Sequence, residues 1–319
     1  MHVPDHFLDP ATSAATVLAA GAALSIAGTR IRRARSATSP AVVAATTAAV
    51  FGLQMLNFPV LDGTSGHLLG GALAAAVLGP WWGMVSVTLV LLVQAVAFAD
   101  GGLTALGTNV LLMAVVGVAV GWAVSRAVLA LAGRGGRTGA GLIGLAAGLG
   151  GAVSVVAASA VFTLLFAVGG AVEVPIDALA GAMLGVHTLI GVGEALITAV
   201  IVAVLALVAP GSLALAPSGV PVPPARAAAA LGVVAVTAAG VLSAVASSLP
   251  DGLEATAVSL GFADAAGEHW LAGWPLAGYG DAAGLFVGMA GLMGVALCLL
   301  ASFAAGKAIG GLNRQRSRG

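Results

Sequence analysis

Long apolar stretches, broken by short polar or glycine-rich segments, make up most of this chain. Nine can be delimited, over residues 11–28, 40–57, 66–80, 83–99, 108–131, 141–168, 178–208, 227–246 and 282–305. A helix rises about 1.5 Å per residue, so about 20 apolar residues cross the hydrocarbon core of a bilayer. A membrane β-barrel would instead alternate apolar and polar residues in short strands. The pattern predicts an all-α integral membrane protein with about nine transmembrane helices. The third and fourth stretches are separated only by Pro80-Trp81-Trp82-Gly83, which predicts a tight turn.

Within the stretches, small residues recur at four-residue spacing. Ala15, Ala19, Ala23 and Ala27 form one such stripe, and Ala41, Ala45 and Ala49 another. In lipid, stripes of this kind let helix backbones approach closely. Internal packing is the plainer expectation for them, and docking of another membrane subunit the sharper one. Residues 209–226 are proline-rich and read as a linker. They divide the chain into a seven-helix unit over 1–208 and a two-helix unit over 227–319.

Composition agrees with the pattern. The chain of 319 residues is 60% hydrophobic and 8% charged, with mean hydropathy +1.11; a soluble domain carries about 25% charged residues. Net charge is zero, so nothing argues for a nucleic-acid partner. The single cysteine, Cys298, excludes a disulfide framework and a cysteine-based metal site.

Charge order gives direction. Arg30, Arg32, Arg33 and Arg35 follow the first apolar stretch, whereas the first charges before it are Asp5 and Asp9. A secretory signal would begin with a cationic segment. The expectation is an uncleaved N-terminus outside the cell and a cytoplasmic C-terminus. With that threading all 12 Lys and Arg residues fall at the cytoplasmic side, as the positive-inside rule requires. Eleven of the 12 acidic residues then lie near the outer face, and Glu194 lies within a span.

The candidate chemistry starts at the N-terminus, Met1-His2-Val3-Pro4-Asp5-His6. The α-amine of Met1, the amide nitrogen between Met1 and His2, and the His2 imidazole can close around one metal ion in a plane. A fourth nitrogen would complete square-planar geometry, which favours Ni(II) or Cu(II). His67 is the candidate for it. It ends the polar stretch Asn57-Phe58-Pro59-Val60-Leu61-Asp62-Gly63-Thr64-Ser65-Gly66-His67. There Thr64 or Ser65 is expected to cap a helix, placing His67 in its first turn on the outer side. Asp62, Thr64, Ser65 and Asn109 are candidates for supporting the ligands, Asn109 by capping a helix or by orienting an imidazole. His6 is expected in a loop, with a supporting role or a spare ligand as the alternatives. His187 and Glu194 are seven residues apart and share one helix face. A buried Glu needs a partner, so the two are expected to form a polar pair inside the membrane; direct metal binding is the alternative.

Other chemistries lack their motifs. There is no G-x-x-x-x-G-K-[ST] phosphate loop, so ATP hydrolysis would reside in a partner, and no H-E-x-x-H zinc-protease motif. A metal-dependent membrane enzyme would need an open coordination position and a base. A secondary, ion-coupled metal permease would need several carboxylates at mid-membrane, where only Glu194 qualifies.

Together these segments resemble the CbiM/NikM family, the substrate-binding (S) components of energy-coupling-factor transporters for cobalt or nickel. The resemblance rests on Met1 to Asp5, on Asn57-Phe58-Pro59 with Gly63 to Gly71, on Asp100-Gly101-Gly102-Leu103-Thr104-Ala105-Leu106-Gly107 with Asn109, and on His187 to Glu194. The C-terminal part resembles the small CbiN/NikN component through Ser248-Leu249-Pro250-Asp251-Gly252-Leu253-Glu254 and Pro275 to Gly280. The resemblance implies a seven-helix S-component bundle fused to a two-helix unit in a prokaryotic cell membrane. It implies a metal site at Met1, His2 and His67, and Ni²⁺ or Co²⁺ as transported substrate without organic cofactor. It also implies a CbiQ/NikQ-like transmembrane coupling subunit and CbiO/NikO-like ATPases as partners, with cobalamin biosynthesis one destination of the metal. His6 departs from the family's usual residue at that position, commonly glycine. The family serves both metals, so nickel against cobalt stays open.

Overall fold

The computed structural model describes residues 1–34, 38–61, 63–132, 139–216, 222–277 and 285–316. Among these, seven helices are long and apolar enough to cross a membrane. The chain is an all-α, multi-pass membrane protein.

Helix α1 (Pro10–Arg33) starts where the sequence supplies both a cap and a proline. The Asp9 side chain accepts a hydrogen bond from the Thr12 amide at 2.6 Å, and Pro10 occupies the first turn. The helix ends on Arg30, Arg32 and Arg33, whose charges complement the carbonyl end of its dipole. Helix α2 (Pro40–Gln54) has only 15 residues, and from Val42 onward every one is buried.

Beyond α2 the chain departs from the expected span over 66–80. Strands β1 (Phe58–Pro59) and β2 (Ser65–Gly66) pair antiparallel, and residues 67–70 run on without helix. Helix α3 (Gly71–Leu78) then covers only eight residues. Gly70 at φ 76° opens it, and Gly79 at φ 79° closes it and hands over directly to Pro80 of α4 (Pro80–Val93). Both φ values suit glycine alone without strain. His67 therefore lies in extended chain rather than in a helix turn, and Ser65 caps nothing. Non-helical backbone at membrane depth is tolerated only where protein satisfies its polar groups. Here Gln54 Nε2 donates to the Leu69 carbonyl at 2.8 Å. The Leu69 and Gly70 amides donate to the Glu194 carboxylate at 2.6 and 3.1 Å.

Two further helices carry wide turns. Helix α4 runs into a π-helical stretch, Gln94–Phe98. Helix α5 (Leu106–Asn109) continues through a second, Val110–Val116, into α6 (Gly117–Ala132). Such bulges cluster at functional sites, and both lie beside the N-terminal segment.

Helices α7 (Ala140–Gly169) and α8 (Ile176–Val208) pack along their length through glycine. A Cβ on Gly144 or Gly148 would lie 2.5 Å from an α8 carbonyl oxygen. The C-terminal helices α9 (Pro224–Gly240) and α11 (Leu285–Arg316) pack on α2 and on each other in the same way. A Cβ on Gly52 would lie 2.7 Å from Ala235 O, and one on Gly291 2.3 Å from Ala239 O. The first part of the expected linker is also packed. Leu213 and Leu215 are buried, and the Ala214 and Leu215 amides bond to Val77 and Ala76 carbonyls at the end of α3.

Candidate metal centre

Five segments converge at the end of the bundle opposite Arg30 to Arg33: residues 1–9, 63–70, 99–105, 169–175 and 246–254. The first of these is an inserted plug. Met1, Val3, Asp5, Phe7 and Leu8 are all buried. Asn109 grips the plug at both edges of Val3, accepting from its amide at 2.8 Å and donating to its carbonyl at 3.0 Å. The Gly102 amide donates to the Val3 carbonyl at 2.9 Å. The Thr104 amide and hydroxyl donate to Asp5 Oδ1 at 2.7 and 2.5 Å. On the other side Ala171 N donates to Phe7 O, and Asp9 N to Gly169 O. The glycine-rich stretch from Asp100 is thus a cradle. A Cβ on Gly102 would fall 2.3 Å from the Asp5 amide nitrogen, so only glycine lets the plug lie this deep.

The plug brings its first two residues to His67. The Met1 amine and His67 Nε2 are in direct contact. His67 Nδ1 bonds the neighbouring Leu68 carbonyl at 3.0 Å. A carbonyl can only accept, so Nδ1 carries the proton and Nε2 presents a lone pair to the amine. The His2 ring stacks on the His67 ring with centroids 5.0 Å apart. Gln94 Oε1 lies 3.1 Å from His2 Nε2, and Asp100 Oδ1 3.3 Å from His2 Nδ1. Burial holds the His2 imidazole down to a pKa of about 4, against an upward pull from Asp100. It is therefore neutral at physiological pH, the form that ligates metal.

Asp251 closes the site from the C-terminal side. Its Oδ2 is 2.8 Å from the Met1 amine and 3.5 Å from His67 Nε2. Its Oδ1 caps α10 (Gly252–Ser259) by accepting from the Leu253 and Glu254 amides. Burial would raise its pKa, but the adjacent Met1 amine outweighs burial and holds the carboxyl well below the usual range. Ser65 fastens this turn: its amide donates to Pro250 O at 2.8 Å and its hydroxyl to Leu249 O at 2.6 Å. Beside His2 and Asp251 lies a cavity of about 350 Å³, also lined by Asp5, Asp100, Glu254 and His269.

The residues singled out in the sequence fare differently. Met1, His2 and His67 meet. Asn109 supports them, though by clamping the backbone of Val3 rather than by capping a helix or holding an imidazole. Ser65 supports the opposite wall. Thr64 contributes backbone bonds to Val60 and Leu61, and Asp62 lies outside the described residues. His6 sits exposed in the left-handed region at φ 69°, with its ring against Gly267. It is a loop residue and does not back the ligands, and the positive φ accounts for a preference for glycine there. His187 and Glu194 do not pair. Glu194 spends both oxygens on the Leu69 and Gly70 amides, which stabilise the carboxylate better than one neutral imidazole, and His187 Nδ1 bonds the Met183 carbonyl at 2.8 Å. Gln54, Gln94 and Asp251 escaped the sequence reading as members of this site. The two glutamines carried a signal, since each is a lone amide inside an apolar span; Asp251 carried none, being 250 residues from Met1.

Among the described residues no three His, Cys, Asp or Glu side chains stand close enough to hold a metal. A metal here would depend on main-chain nitrogens as well as imidazoles. Such a nitrogen-rich set suits borderline transition ions rather than Mg²⁺ or Ca²⁺.

Residues 2–212 match the family described as "Cobalt uptake substrate-specific transmembrane region". The chain is 42% identical over 128 residues to a putative fused nickel transport protein NikMN of Archaeoglobus fulgidus, covering 40% of this chain and 42% of that protein. It is 40% identical over 124 residues to the fused nickel transport protein NikMN of Rhodobacter capsulatus, covering 39% and 36%. It is 38% identical over 129 residues to a probable fused nickel transport protein LarMN of Lactiplantibacillus plantarum, covering 40% and 39%. The chain thus spans about two fifths of the length of these relatives. A solved structure of a truncated transition metal transporter superposes with a TM-score of 0.56 at 29% identity, covering 65% of this chain and 98% of that one. With two thirds of its length matched, the chain belongs to the family of cobalt uptake substrate-specific transmembrane proteins.

Proposed function

We propose that this protein is the substrate-binding membrane component of an ATP-driven energy-coupling-factor importer for Ni²⁺ or Co²⁺. The ion is held by the Met1 amine, the Met1–His2 amide nitrogen, His2 Nδ1 and His67 Nε2. The observation that carries this reading is the contact between the buried Met1 amine and the lone-pair nitrogen of His67. The amine and amide of Met1 and His2 close a five-membered chelate ring, and His2 Nδ1 closes a six-membered one. His2 Nδ1 now faces Asp100, and the amine faces Asp251. Chelation therefore turns the His2 ring from one carboxylate and frees the amine from the other. The carboxylate-lined cavity beside His2 supports an access route for a dication, because clefts of one charge sign concentrate ions of the other.

The N-terminus faces outward in this reading, with Arg30, Arg32, Arg33 and Lys307 on the cytoplasmic side. Residues 1–208 form the metal-binding unit and 227–319 the CbiN/NikN-like unit, whose Asp251 turn lies over the site. A CbiQ/NikQ-like coupling subunit and CbiO/NikO-like ATPases supply the drive. A secondary permease is less well supported, because Glu194 is committed to the extended segment that carries His67.

The test is calorimetric titration of Ni²⁺ and Co²⁺ into the purified chain, into His2→Ala and His67→Ala, and into a form with one residue added before Met1. Loss of tight binding in all three changed forms is expected. Wild-type affinity in all three would sink the reading.

A further inference from the structure

Four phenylalanines run in an unbroken chain from the plug into the bundle. Phe7 of the plug meets Phe262 edge-on, with ring centroids 5.3 Å apart and planes at 61°. Phe262 meets Phe166 of α7 at 5.1 Å, and Phe166 meets Phe162 at 5.9 Å. All four are buried, and these separations are the favourable ones for aromatic pairs. Phe262 belongs to the C-terminal unit and takes its place from the end of α10. Gly261 at φ 74° turns the chain left-handed there. The Phe262 amide donates to the Ala257 carbonyl at 2.9 Å, and the Gly261 amide to the Val258 carbonyl at 3.2 Å. This paired capping pattern fixes the residue after the glycine against the helix. The start of the same helix is capped by Asp251, whose other oxygen touches the Met1 amine. Farther on, the Gly267 amide donates to the Asp5 carbonyl at 2.9 Å. One eight-residue helix and the segment after it thus lie across the plug and grip it at Met1, Asp5 and Phe7.

We propose that Phe262 is a positioning residue of the metal centre, acting through Phe7 as a latch on the plug. The plug withdraws, for loading and for release alike, only after Phe7 and Phe262 part. The proposal rests on the reading that Met1, His2 and His67 hold the transported ion. A metal would claim the Met1 amine and break its pairing with Asp251, but it makes no bond to either ring. The stack is therefore common to the loaded and the unloaded site. It raises the barrier to opening in both directions and favours neither. Parting the rings exposes two buried aromatic side chains to water, which is where the barrier comes from.

Stopped-flow Ni²⁺ loading of the full-length chain, followed by an EDTA chase, reads both rates, and calorimetry reads the affinity. Phe262→Ala is expected to speed loading and release together by at least about tenfold, with the dissociation constant unchanged. A residue that only stabilised the fold would not move the two rates in step. Wild-type rates in Phe262→Ala overturn the latch and leave the N-terminal centre standing. Faster release with unchanged loading would make the ring a stabiliser of the loaded form alone, and overturns the latch as well. If the wild-type chain itself takes up no tight ion, the N-terminal centre fails and the latch with it. Should Phe262→Ala fail to fold, Phe262→Leu keeps most of the volume and loses the ring edge. It is expected to speed both rates roughly threefold or more, and wild-type rates there refute the latch.

Discussion

The two ends of the chain meet over the same site, and they are held in different ways. The N-terminal plug is fixed from all sides: Asn109 and Gly102 hold Val3, Thr104 holds Asp5, and residues 169–171 hold Phe7 and Asp9. The turn at 249–251 is held by Ser65, through hydrogen bonds to carbonyl oxygens, and by the ion pair between Asp251 and the Met1 amine. That ion pair involves the very group a metal would claim. The difference teaches that the plug is held independently of the amine, whereas in the proposed reading the hold of the C-terminal turn loosens when the amine changes partner.

The largest expected effect breaks the plug. One residue added before Met1 displaces the amine from His67 and leaves no room in the buried pocket, so Ni²⁺ and Co²⁺ binding should fall below detection by calorimetry. Next comes the cradle. Asn109→Ala releases both edges of Val3 without touching a ligand, and affinity should drop roughly 10- to 100-fold, the usual cost of losing groups that orient ligands. An unchanged affinity would show that the plug holds itself. Glu194→Gln aims an amide donor at one of the Leu69 and Gly70 amides. It should cost about 1–3 kcal/mol of stability in thermal unfolding and weaken metal binding through His67. Equal melting temperatures would deny Glu194 its anchoring role.

The pH profile sharpens the same comparison. The amine and the amide must each shed a proton to ligate, so affinity should climb with pH by up to about two decades per unit. His2 adds nothing to that slope near neutrality, because burial already keeps it neutral down to about pH 4. A flat profile between pH 6 and 8 would exclude main-chain ligation. Below pH 6.5 the sign is the same for stability. The unfolded chain binds a proton at His2 that the folded chain refuses until about pH 4, so acid favours release of the plug. The smallest effect is expected at Asp251→Asn. Losing the carboxylate removes both an attraction for the dication and the ion pair that occupies the Met1 amine, and these oppose each other at equilibrium. Affinity should change less than about fivefold while the loading rate falls roughly tenfold, the low end of electrostatic steering. Stopped-flow loading at wild-type speed would remove Asp251 from the access route.

Much of the site was legible in order but not in geometry. Met1, His2 and His67 could be named because an amine, an amide and two imidazoles form a chemically complete set. That His67 lies on extended chain could not be read, because residues 66–80 are apolar enough to suggest a continuous helix. What breaks that helix is Gly70 and Gly79, together with two distant polar groups, Gln54 and Glu194, that satisfy the freed backbone. The pairing of His187 with Glu194 failed for the same reason: seven-residue spacing gives a shared face but not the partner standing opposite it.

The alanine stripes of α1 and α2 show where the division falls. Their spacing is the same, yet Ala15 and Ala19 of α1 are exposed while Ala45 and Ala49 of α2 are buried. Hydropathy alone determined that both segments are helical, since a backbone in lipid must bond within itself. The order of residues also supplied the nitrogen chemistry at the N-terminus. Tertiary structure alone decided which stripe receives α9 and α11, that Asp251 reaches Met1, and that Glu194 serves the extended segment of His67. These are contacts between residues far apart in sequence, fixed by which backbones glycine and alanine allow to approach, and no local pattern records them.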